Sequence, residues 1–340
     1  MTTKIGLDLG YANIALSNVT AEVYREPSVA LVDKITRKII SVGNQAASSS
    51  SGDNALLVRP FKNGLLYSSD ITNEIVSHIV KSLGPCDRIS CIVSLPSNFN
   101  SKQNAEIFDM LKSAGVSECY SVSPAIASLV GAGYSPLISA VSVNIGASST
   151  EIAVIHKGKI ITQVRESVGG EDFDEAVKEY VFSQGDVTIS LLIARTIKER
   201  LGAVWQGRES ESVDIEGTLS LTGNRVKMSV TTEDIVGVFE KPLQKILMTV
   251  ANVVKKIPRE LVADIFENGI ILGGGGAELY GLEIMMSKVL GISVTRAEAP
   301  IDAVAKGLSR IHTFLPSKMR MNAKDITQNL AKYYEEKHEK

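Results

Sequence analysis

The stretch "KIGLDLGYANIALS", which starts at Lys4, places an acid and a glycine at the end of an apolar strand. A carboxylate such as that of Asp8 holds Mg²⁺, usually through water molecules that the ion releases reluctantly. A glycine such as Gly10 has no Cβ, so the backbone N–H groups of the turn can approach a phosphate closely. The stretch therefore predicts a turn that binds phosphate and magnesium.

A second stretch, "VSVNIGASSTEIAV" from Val141, repeats this pattern with Asn144 and Gly146 in the places of Asp8 and Gly10. In both copies small polar residues lead into a second strand. An internal repeat of this size predicts two similar lobes. Two such turns that face each other would clamp a nucleoside triphosphate, and a third glycine run, Gly273–Gly276, can accept the adenosine side.

Each of these motifs is weak alone. A strand that ends in Asp-x-Gly is usually an ordinary hairpin, and a glycine run between strand and helix occurs in many folds without ligands. A Rossmann dinucleotide site needs the spacing G-x-G-x-x-G in a βαβ unit, with an acid about 20 residues later. The run "GGGGAELYG" lacks that spacing. Three loops in this order, two of them paired by the repeat, favour a nucleotide cleft.

The remaining pattern is an alternation of strands, turns and helices, which predicts an α/β protein. Helical spacing runs through "ITNEIVSHIVKSL", "NSKQNAEIFDMLKSAG" and "IARTIKERLG", and each segment ends at or beside a glycine. A hairpin is predicted around Thr222–Asn224 and a long helix after Pro242. The charged final segment, "AKDITQNLAKYYEEKHEK", is predicted to be a solvated or frayed helix.

Composition narrows the class of protein. The 340 residues are too many for one ordinary core, and a net charge of −2 predicts no nucleic-acid partner. The cysteines lack the spacing of a zinc site or a disulfide framework. Neither a secretory signal nor an apolar run of about 18 residues is present, so we expect a cytoplasmic protein. Peripheral contact with the inner face of the cell membrane stays open.

Taken together, the motifs resemble the actin, sugar-kinase and heat-shock ATPase fold, and within it the MreB bacterial actins. The resemblance runs from "IGLDLGYAN" through "REPSVALVD", "IVSLPSNFN", "VNIGASSTEIAVI" and "VGGEDFDEAVKEYV" to "APIDAVAKGLSRI". It implies two similar lobes with ribonuclease H-like cores and a nucleotide cleft between them. Lobe I would comprise residues 1–140 and 312–340, with a small subdomain at about 29–74. Lobe II would comprise 141–311, with a small subdomain at about 183–246.

The resemblance also implies a set of site residues. Asp8 would hold Mg²⁺ through water, and the two glycine turns would hold the phosphates of ATP or ADP. A helix and the third glycine loop would contact the ribose and adenine. The predicted nucleotide-binding residues are Gly10, Tyr11, Ala12, Asn13, Gly146, Ala147, Ser148, Ser149, Arg195, Thr196, Ile197, Lys198, Gly275, Gly276, Ala277, Glu278 and Leu279.

Several positions depart from the family pattern. In the second loop, Ala147-Ser148-Ser149 stand where the family has glycines and a threonine. Tyr11 replaces a threonine, Asn144 an aspartate, Ser123 a water-orienting glutamate, and Arg195 an acid. Neither asparagine nor serine can take a proton from water at neutral pH, and a positioned base contributes about 10²–10⁴ in rate.

With Asp8, Ser123 and Asn144 at the catalytic positions, we expect ATP binding with slow hydrolysis at most. The alternative is that another acid, for instance Asp8, compensates, because phosphoryl transfer depends mostly on positioning.

Two functions follow from the resemblance. The first is a bacterial cytoskeletal protein that binds ATP and Mg²⁺ and polymerises into paired protofilaments, for cell shape, motility or internal organisation. Its partners would be other copies of itself and cytoskeletal or membrane-associated proteins. The second is a small-molecule kinase or activator ATPase, which would need an acid beside "SLPSNF" to accept a hydroxyl proton. None is evident there.

Overall fold

The computed structural model describes residues 2–49, 54–62, 65–316 and 324–338. The strands of the first half are β1 (Thr2–Leu9), β2 (Asn13–Asn18), β3 (Val23–Pro27), β4 (Ala30–Asp33), β5 (Ile39–Val42), β6 (Ala55–Val58), β7 (Phe61–Lys62), β8 (Leu65–Leu66), β9 (Arg88–Ser94) and β10 (Glu118–Val122). Its helices are α1 (Gly43–Ser48), α2 (Ser69–Lys81), α3 (Ser101–Ser113) and α4 (Pro124–Gly131).

The second half continues the alternation. Its strands are β11 (Ala140–Ile145), β12 (Thr150–His156), β13 (Lys159–Glu166), β14 (Val187–Thr188), β15 (Ser212–Leu219), β16 (Arg225–Thr231), β17 (Ile270–Gly273), β18 (Val294–Arg296) and β19 (Lys324–Asp325). Its helices are α5 (Gly170–Ser183), α6 (Leu191–Leu201), α7 (Thr232–Ile235), α8 (Glu240–Lys255), α9 (Val262–Asn268), α10 (Leu282–Leu290), α11 (Ala303–Phe314) and α12 (Leu330–His338).

Two large sheets share one topology. The first has the order β3-β2-β1-β9-β10-β19 and the second the order β13-β12-β11-β17-β18. In each, a hairpin is followed by parallel strands on its inner side: β1 pairs with β2 antiparallel and with β9 parallel, and β11 pairs with β12 and β17 in the same way. The matching order shows the two similar lobes that the repeat predicted. We call the elements around the first sheet lobe I and those around the second lobe II.

The central strands are apolar because both faces of each sheet are covered. Ile5 and Leu7 of β1 are fully buried, as are Val141 and Val143 of β11. Two smaller three-stranded sheets, β5-β4-β6 and β14-β15-β16, lie within the predicted small subdomains. The exact lobe boundaries stay a prediction; the proposed division at 311/312 falls within α11.

Several local predictions agree with the elements. Asn100 begins α3 through a capping box with Gln103, Gly202 follows the end of α6, and β15 and β16 form the predicted hairpin. These features depend on neighbouring residues, so the sequence pattern is sufficient to predict them.

The predicted helix is present as α12, whose residues 331–338 are half-buried or exposed, but the prediction of a solvated segment is wrong for residues 324–330. Strand β19 pairs with β10, and the N–H of Ile326 donates to the carbonyl oxygen of Ser121 at 3.0 Å. Ile326 and Leu330 are fully buried, and the rings of Phe314 and Tyr334 lie 5.2 Å apart. The apolar residues of this segment cover the edge of lobe I, which its charged composition concealed.

Candidate nucleotide-binding cleft

The two glycine turns face one cavity between the lobes. The turn of residues 10–13 joins β1 to β2, and the turn of residues 146–149 joins β11 to β12. All eight of these residues line the same cavity. The structure therefore brings together the two copies of the repeat, which are far apart in the chain.

The backbone of both turns is suited to an anion. The N–H groups of Tyr11, Ala12, Ala147 and Ser148 find no hydrogen-bond acceptor within the described residues. A buried N–H without a partner is costly, so such groups are satisfied by water or by a ligand. Phosphate oxygens are acceptors only, and they match this row of donors.

Gly10 has a steric reason to be glycine. A Cβ built on Gly10 would lie 2.4 Å from the carbonyl oxygen of Asn13, a distance that real Cβ atoms do not show. Any larger residue would have to open the turn. The tight turn therefore keeps its N–H groups at the surface of the cavity.

Asp8 lies on the wall of the cavity, at the end of β1. Its Oδ1 accepts a hydrogen bond from the Ser94 hydroxyl at 2.5 Å. Burial raises the pKa of Asp8 to about 6, and the Ser94 hydrogen bond and the charge of Arg25 limit that rise. A carboxylate desolvated in this way gains from a nearby cation.

A magnesium ion fits this site without a protein cage. No three His, Cys, Asp or Glu side chains of the described residues cluster closely enough to hold a metal ion. Mg²⁺ typically keeps several waters and binds through one or two carboxylates together with phosphates. Asp8 is the acid of the predicted set that meets this requirement.

A second cavity adjoins the first, because Ala12, Gly146, Ala147 and Gly275 line both. It also receives residues of α5, α6 and the third glycine loop: Gly170, Phe173, Arg195, Lys198, Glu199, Gly276, Glu278 and Leu279. With phosphates on the two turns, the nucleoside would extend into this second cavity.

Asp174 organises the cations of the second cavity. Its carboxylate is fully buried on α5. Lys198 Nζ lies 2.6 Å from Asp174 Oδ1, and Arg195 Nε lies 3.2 Å from Asp174 Oδ2. Lys198 also donates to the carbonyl oxygen of Gly170 at 2.8 Å. The buried carboxylate of Asp174 thus fixes the positions of Arg195 and Lys198 in the second cavity.

Four predicted residues do not line either cavity. Ile197 and Ala277 are fully buried in the core of lobe II, and the Thr196 hydroxyl donates to the Leu192 carbonyl oxygen at 3.0 Å. Ser123 precedes α4 and lines a neighbouring cavity, where its N–H donates to Thr327 Oγ1 at 3.1 Å. Asn144 does line the first cavity, and its buried Oδ1 has no partner among the described residues.

Sequence reasoning missed Glu151, a second carboxylate of the first cavity. Glu151 lies opposite Asn144 in the β11–β12 hairpin. The Ser97 hydroxyl donates to its carboxylate, with Oγ 2.7 Å from Oε2 and 2.9 Å from Oε1, and Arg165 Nη1 lies 3.9 Å from Oε1. The signal was present, since an acid interrupts the otherwise apolar strand "TEIAVI".

It also missed Arg59 and Glu171. Arg59 Nη1 donates to the carbonyl oxygens of Tyr11 and Ala12 at 3.2 and 3.3 Å, which braces the first turn from behind. Glu171 stands in the first turn of α5 and lies near Arg59 and Arg195. No local pattern distinguishes these residues from ordinary surface charges.

The paired lobes and the glycine-lined cleft define a two-lobed actin-like protein. The chain belongs to the MreB/Mbl family, whose family model matches residues 2–320. It is 30% identical over 313 residues to the cell shape-determining protein Mbl of Bacillus cereus, which covers 89% of this chain and 93% of that protein. The predicted resemblance to MreB is confirmed, and the chain is an actin-like cytoskeletal protein.

Solved structures show the same fold. MreB5 of Spiroplasma citri bound to ADP superposes with a TM-score of 0.85 at 23% identity, over 90% of this chain and 95% of that one. The MamK double helical filament gives a TM-score of 0.80 at 21% identity, over 93% of this chain and 100% of the MamK chain. The predicted actin-like fold is thus confirmed. None of the helices in the described part of the chain is long and apolar enough to cross a membrane.

Proposed function

We propose that the protein binds ATP with Mg²⁺ in this cleft and polymerises into filaments of paired protofilaments. The observation that carries the proposal is the pair of glycine turns, whose unpartnered N–H groups line one cavity next to Asp8. The ADP in the MreB5 structure and the filament formed by MamK support it. A cytoplasmic location and contacts with a membrane or with other proteins stay predictions.

The nucleotide would occupy both cavities, with its phosphates in the first and its nucleoside in the second. The two turns would donate N–H groups to the phosphates, and Asp8 would hold the ion through its water shell. Bound Mg²⁺ would supply positive charge that offsets the charge of the phosphates. Arg195, Lys198 and the loop of residues 275–279 would surround the nucleoside.

Hydrolysis would be slow at most. The side chains of Ser123 and Asn144 are a hydroxyl and an amide, neither of which has a carboxylate to activate water. Ser123, moreover, does not line the cleft. Among the described residues that line the first cavity, Asp8 and Glu151 are the carboxylates. Glu151 is already engaged by Ser97 and Arg165, so its capacity to align a water molecule is reduced.

Filament growth would follow from lobe closure around the nucleotide. Head-to-tail contacts between identical subunits are heterologous and extend without limit unless the rotation closes a ring. A closed cleft would present both ends of the subunit in one fixed relation. Nucleotide state would then control assembly.

Nucleotide binding is tested first, by calorimetry with ATP in the presence and absence of Mg²⁺. Ser148→Asp places a like charge beside the phosphates and should weaken ATP binding tenfold or more, by about 1.4 kcal/mol. Asp8→Ala should abolish most of the gain from Mg²⁺. The controls are Ser220→Asp and Asp109→Ala, at exposed positions away from the cleft. ATP affinity in Ser148→Asp equal to wild type would place the nucleotide elsewhere.

Polymerisation is tested by sedimentation and electron microscopy over a range of salt and protein concentrations. Wild type should pellet as filaments with Mg²⁺ and ATP, and Ser148→Asp should stay in the supernatant. Monomers under every condition, together with transfer of phosphate to a small molecule, would support the kinase alternative instead.

A further inference from the structure

Two of the departures from the family pattern meet in the structure. Tyr11 stands in the first glycine turn, and Arg195 stands on α6 in lobe II. Both interact with Glu171, in the first turn of α5. One departure from the family pattern in each lobe, Tyr11 and Arg195, thus contacts the same carboxylate, that of Glu171.

Glu171 is contacted from both lobes. Arg195 Nη2 of lobe II lies 3.9 Å from Glu171 Oε1, and Arg59 Nε of lobe I lies 4.0 Å from the same oxygen. The guanidinium of Arg59 lies 5.2 Å from the centre of the Tyr11 ring, within the range of a cation–π contact. We call Tyr11, Arg59, Glu171 and Arg195 the cross-cleft cluster.

The cross-cleft cluster borders both cavities through two of its members, Tyr11 and Arg195. Tyr11 lines the first cavity and Arg195 lines the second. Their shared contacts with Glu171 therefore cross the cleft beside both cavities. The side chains of Arg59, Glu171 and Arg195 are each 28% exposed. Water therefore reaches the cluster only in part, and its ion pairs are less screened than those on an open surface.

The charges explain why arginine stands at position 195. An acid there would lie beside Glu171 and the buried Asp174, and like charges at such distances repel. Arg195 instead contacts both carboxylates. Burial raises the pKa of Glu171, while the charges of Arg59 and Arg195 and the Tyr11 hydroxyl oppose that rise.

We infer that Glu171 is a positioning residue that holds the two lobes together over a bound nucleotide and slows its release. The inference rests on the proposed nucleotide binding. The two turns that would hold the phosphates belong to different lobes, so separation of the lobes would free the nucleotide. The same separation would break the contacts of Glu171 with Tyr11 and Arg59. The cross-cleft cluster therefore sets the dissociation rate more than the association rate.

The experiment measures the release of a fluorescent ATP analogue, chased with excess ATP, from the full-length protein with Mg²⁺. Glu171→Gln keeps the size of the side chain and removes its charge, and should speed release about fivefold, since weak ion pairs contribute up to about 1 kcal/mol each. Its matched control is Glu175→Gln, one turn later on α5, where the carboxylate pairs with Lys178 on the surface. The control should release the analogue at the wild-type rate.

A second variant separates the cross-cleft contact from a general loss of stability. Tyr11→Phe removes the hydroxyl that donates to Glu171 and should also speed release. It should add nothing in the Glu171→Leu background, because leucine has no acceptor and the contact is already lost there. Melting temperatures without nucleotide should be alike for Glu171→Gln and Glu175→Gln. Unchanged release in Glu171→Gln, or additive effects in the double variant, would overturn the inference while nucleotide binding stands. A wild-type protein that does not bind the analogue or ATP would overturn the proposed function as well.

Discussion

Two carboxylates, those of Asp8 and Glu151, line the first cavity, and their surroundings differ. Asp8 accepts one hydrogen bond, from Ser94, and burial raises its pKa to about 6. Glu151 accepts hydrogen bonds from Ser97 of lobe I and lies near Arg165 of lobe II. Asp8 is thus disposed to attract a cation, whereas Glu151 is already satisfied by the protein.

The rate of ATP hydrolysis is the property that tests these individual residues. Ser123→Glu restores the acid of the family pattern and should raise phosphate release tenfold or more, at the low end of the range for a positioned base. The longer side chain is needed, because Ser123 lies in the cavity next to the cleft, beyond Pro124, which lines both. Phosphate release is followed in a single turnover of ATP.

Glu151→Gln is the companion variant. If Glu151 provides the residual chemistry, its amide should lower phosphate release about tenfold with unchanged ATP affinity. Equal rates in wild type and Ser123→Glu would show that the departure at position 123 does not limit hydrolysis. Glu175→Gln serves as the control, because its carboxylate lies on the surface of α5.

At the scale of elements, α4 and α11 cross at two glycines. A Cβ on Gly131 would lie 1.6 Å from the carbonyl oxygen of Ala303, and one on Gly307 would lie 1.8 Å from that of Ala127. Arg310 Nη1 donates to the carbonyl oxygens of Val130 and Gly131 and so caps the end of α4. Helix α11 also contacts β1 and α4 contacts β11, so this helix pair connects the two sheets.

Gly307→Ala should therefore destabilise the protein. Helix propensity alone favours alanine by about 1 kcal/mol. Overpacking against a backbone carbonyl costs about 1–3 kcal/mol or more, because neither helix can move without disturbing a sheet. We expect a net loss in the free energy of unfolding, measured with urea. Thr313→Ala, at an exposed position of α11, should stay within about 0.5 kcal/mol of wild type; a stabilised Gly307→Ala would contradict the close crossing.

At the scale of the whole molecule, one buried histidine links stability to pH. His312 lies on α11 and is 2% exposed. Burial lowers the pKa of His312 from 6.5 to about 4, and the charge of Lys4 adds to that effect. The folded protein thus keeps this imidazole neutral at a pH at which the unfolded chain would protonate it.

The direction in which stability changes with pH follows from proton binding by the two states. Between pH 6.5 and about 4 the unfolded state binds more protons at His312, so stability is fully present above 6.5 and is lost as the pH falls. The loss amounts to about 3 kcal/mol at most. In urea unfolding, His312→Gln should lose less stability than wild type between pH 7.5 and 5. His338→Gln, at an exposed residue of α12, should keep the wild-type difference; an unchanged difference in His312→Gln would exclude this histidine as the cause.

The sequence alone determined the features that depend on neighbouring residues. The turns at Gly10 and Gly146, the cap at Asn100 and the strand–turn–helix alternation each arise from contacts within a few residues. The repeat then implied two lobes, because similar local segments fold into similar units. For these reasons two similar lobes with glycine turns at a cleft were predictable from the residues, whereas the actin-like fold and the full set of cleft residues followed from the resemblance to the MreB family.

Only the tertiary structure decided which distant side chains meet. Glu171 and Arg59 look like ordinary surface charges in the chain, and only the packing of the two lobes brings them together. The docking of Ile326 and Leu330, and the position of Ser123 outside the cleft, depend on how strands from remote segments pair. Such contacts are set by packing across the whole molecule, and a local pattern of residue types does not contain that information.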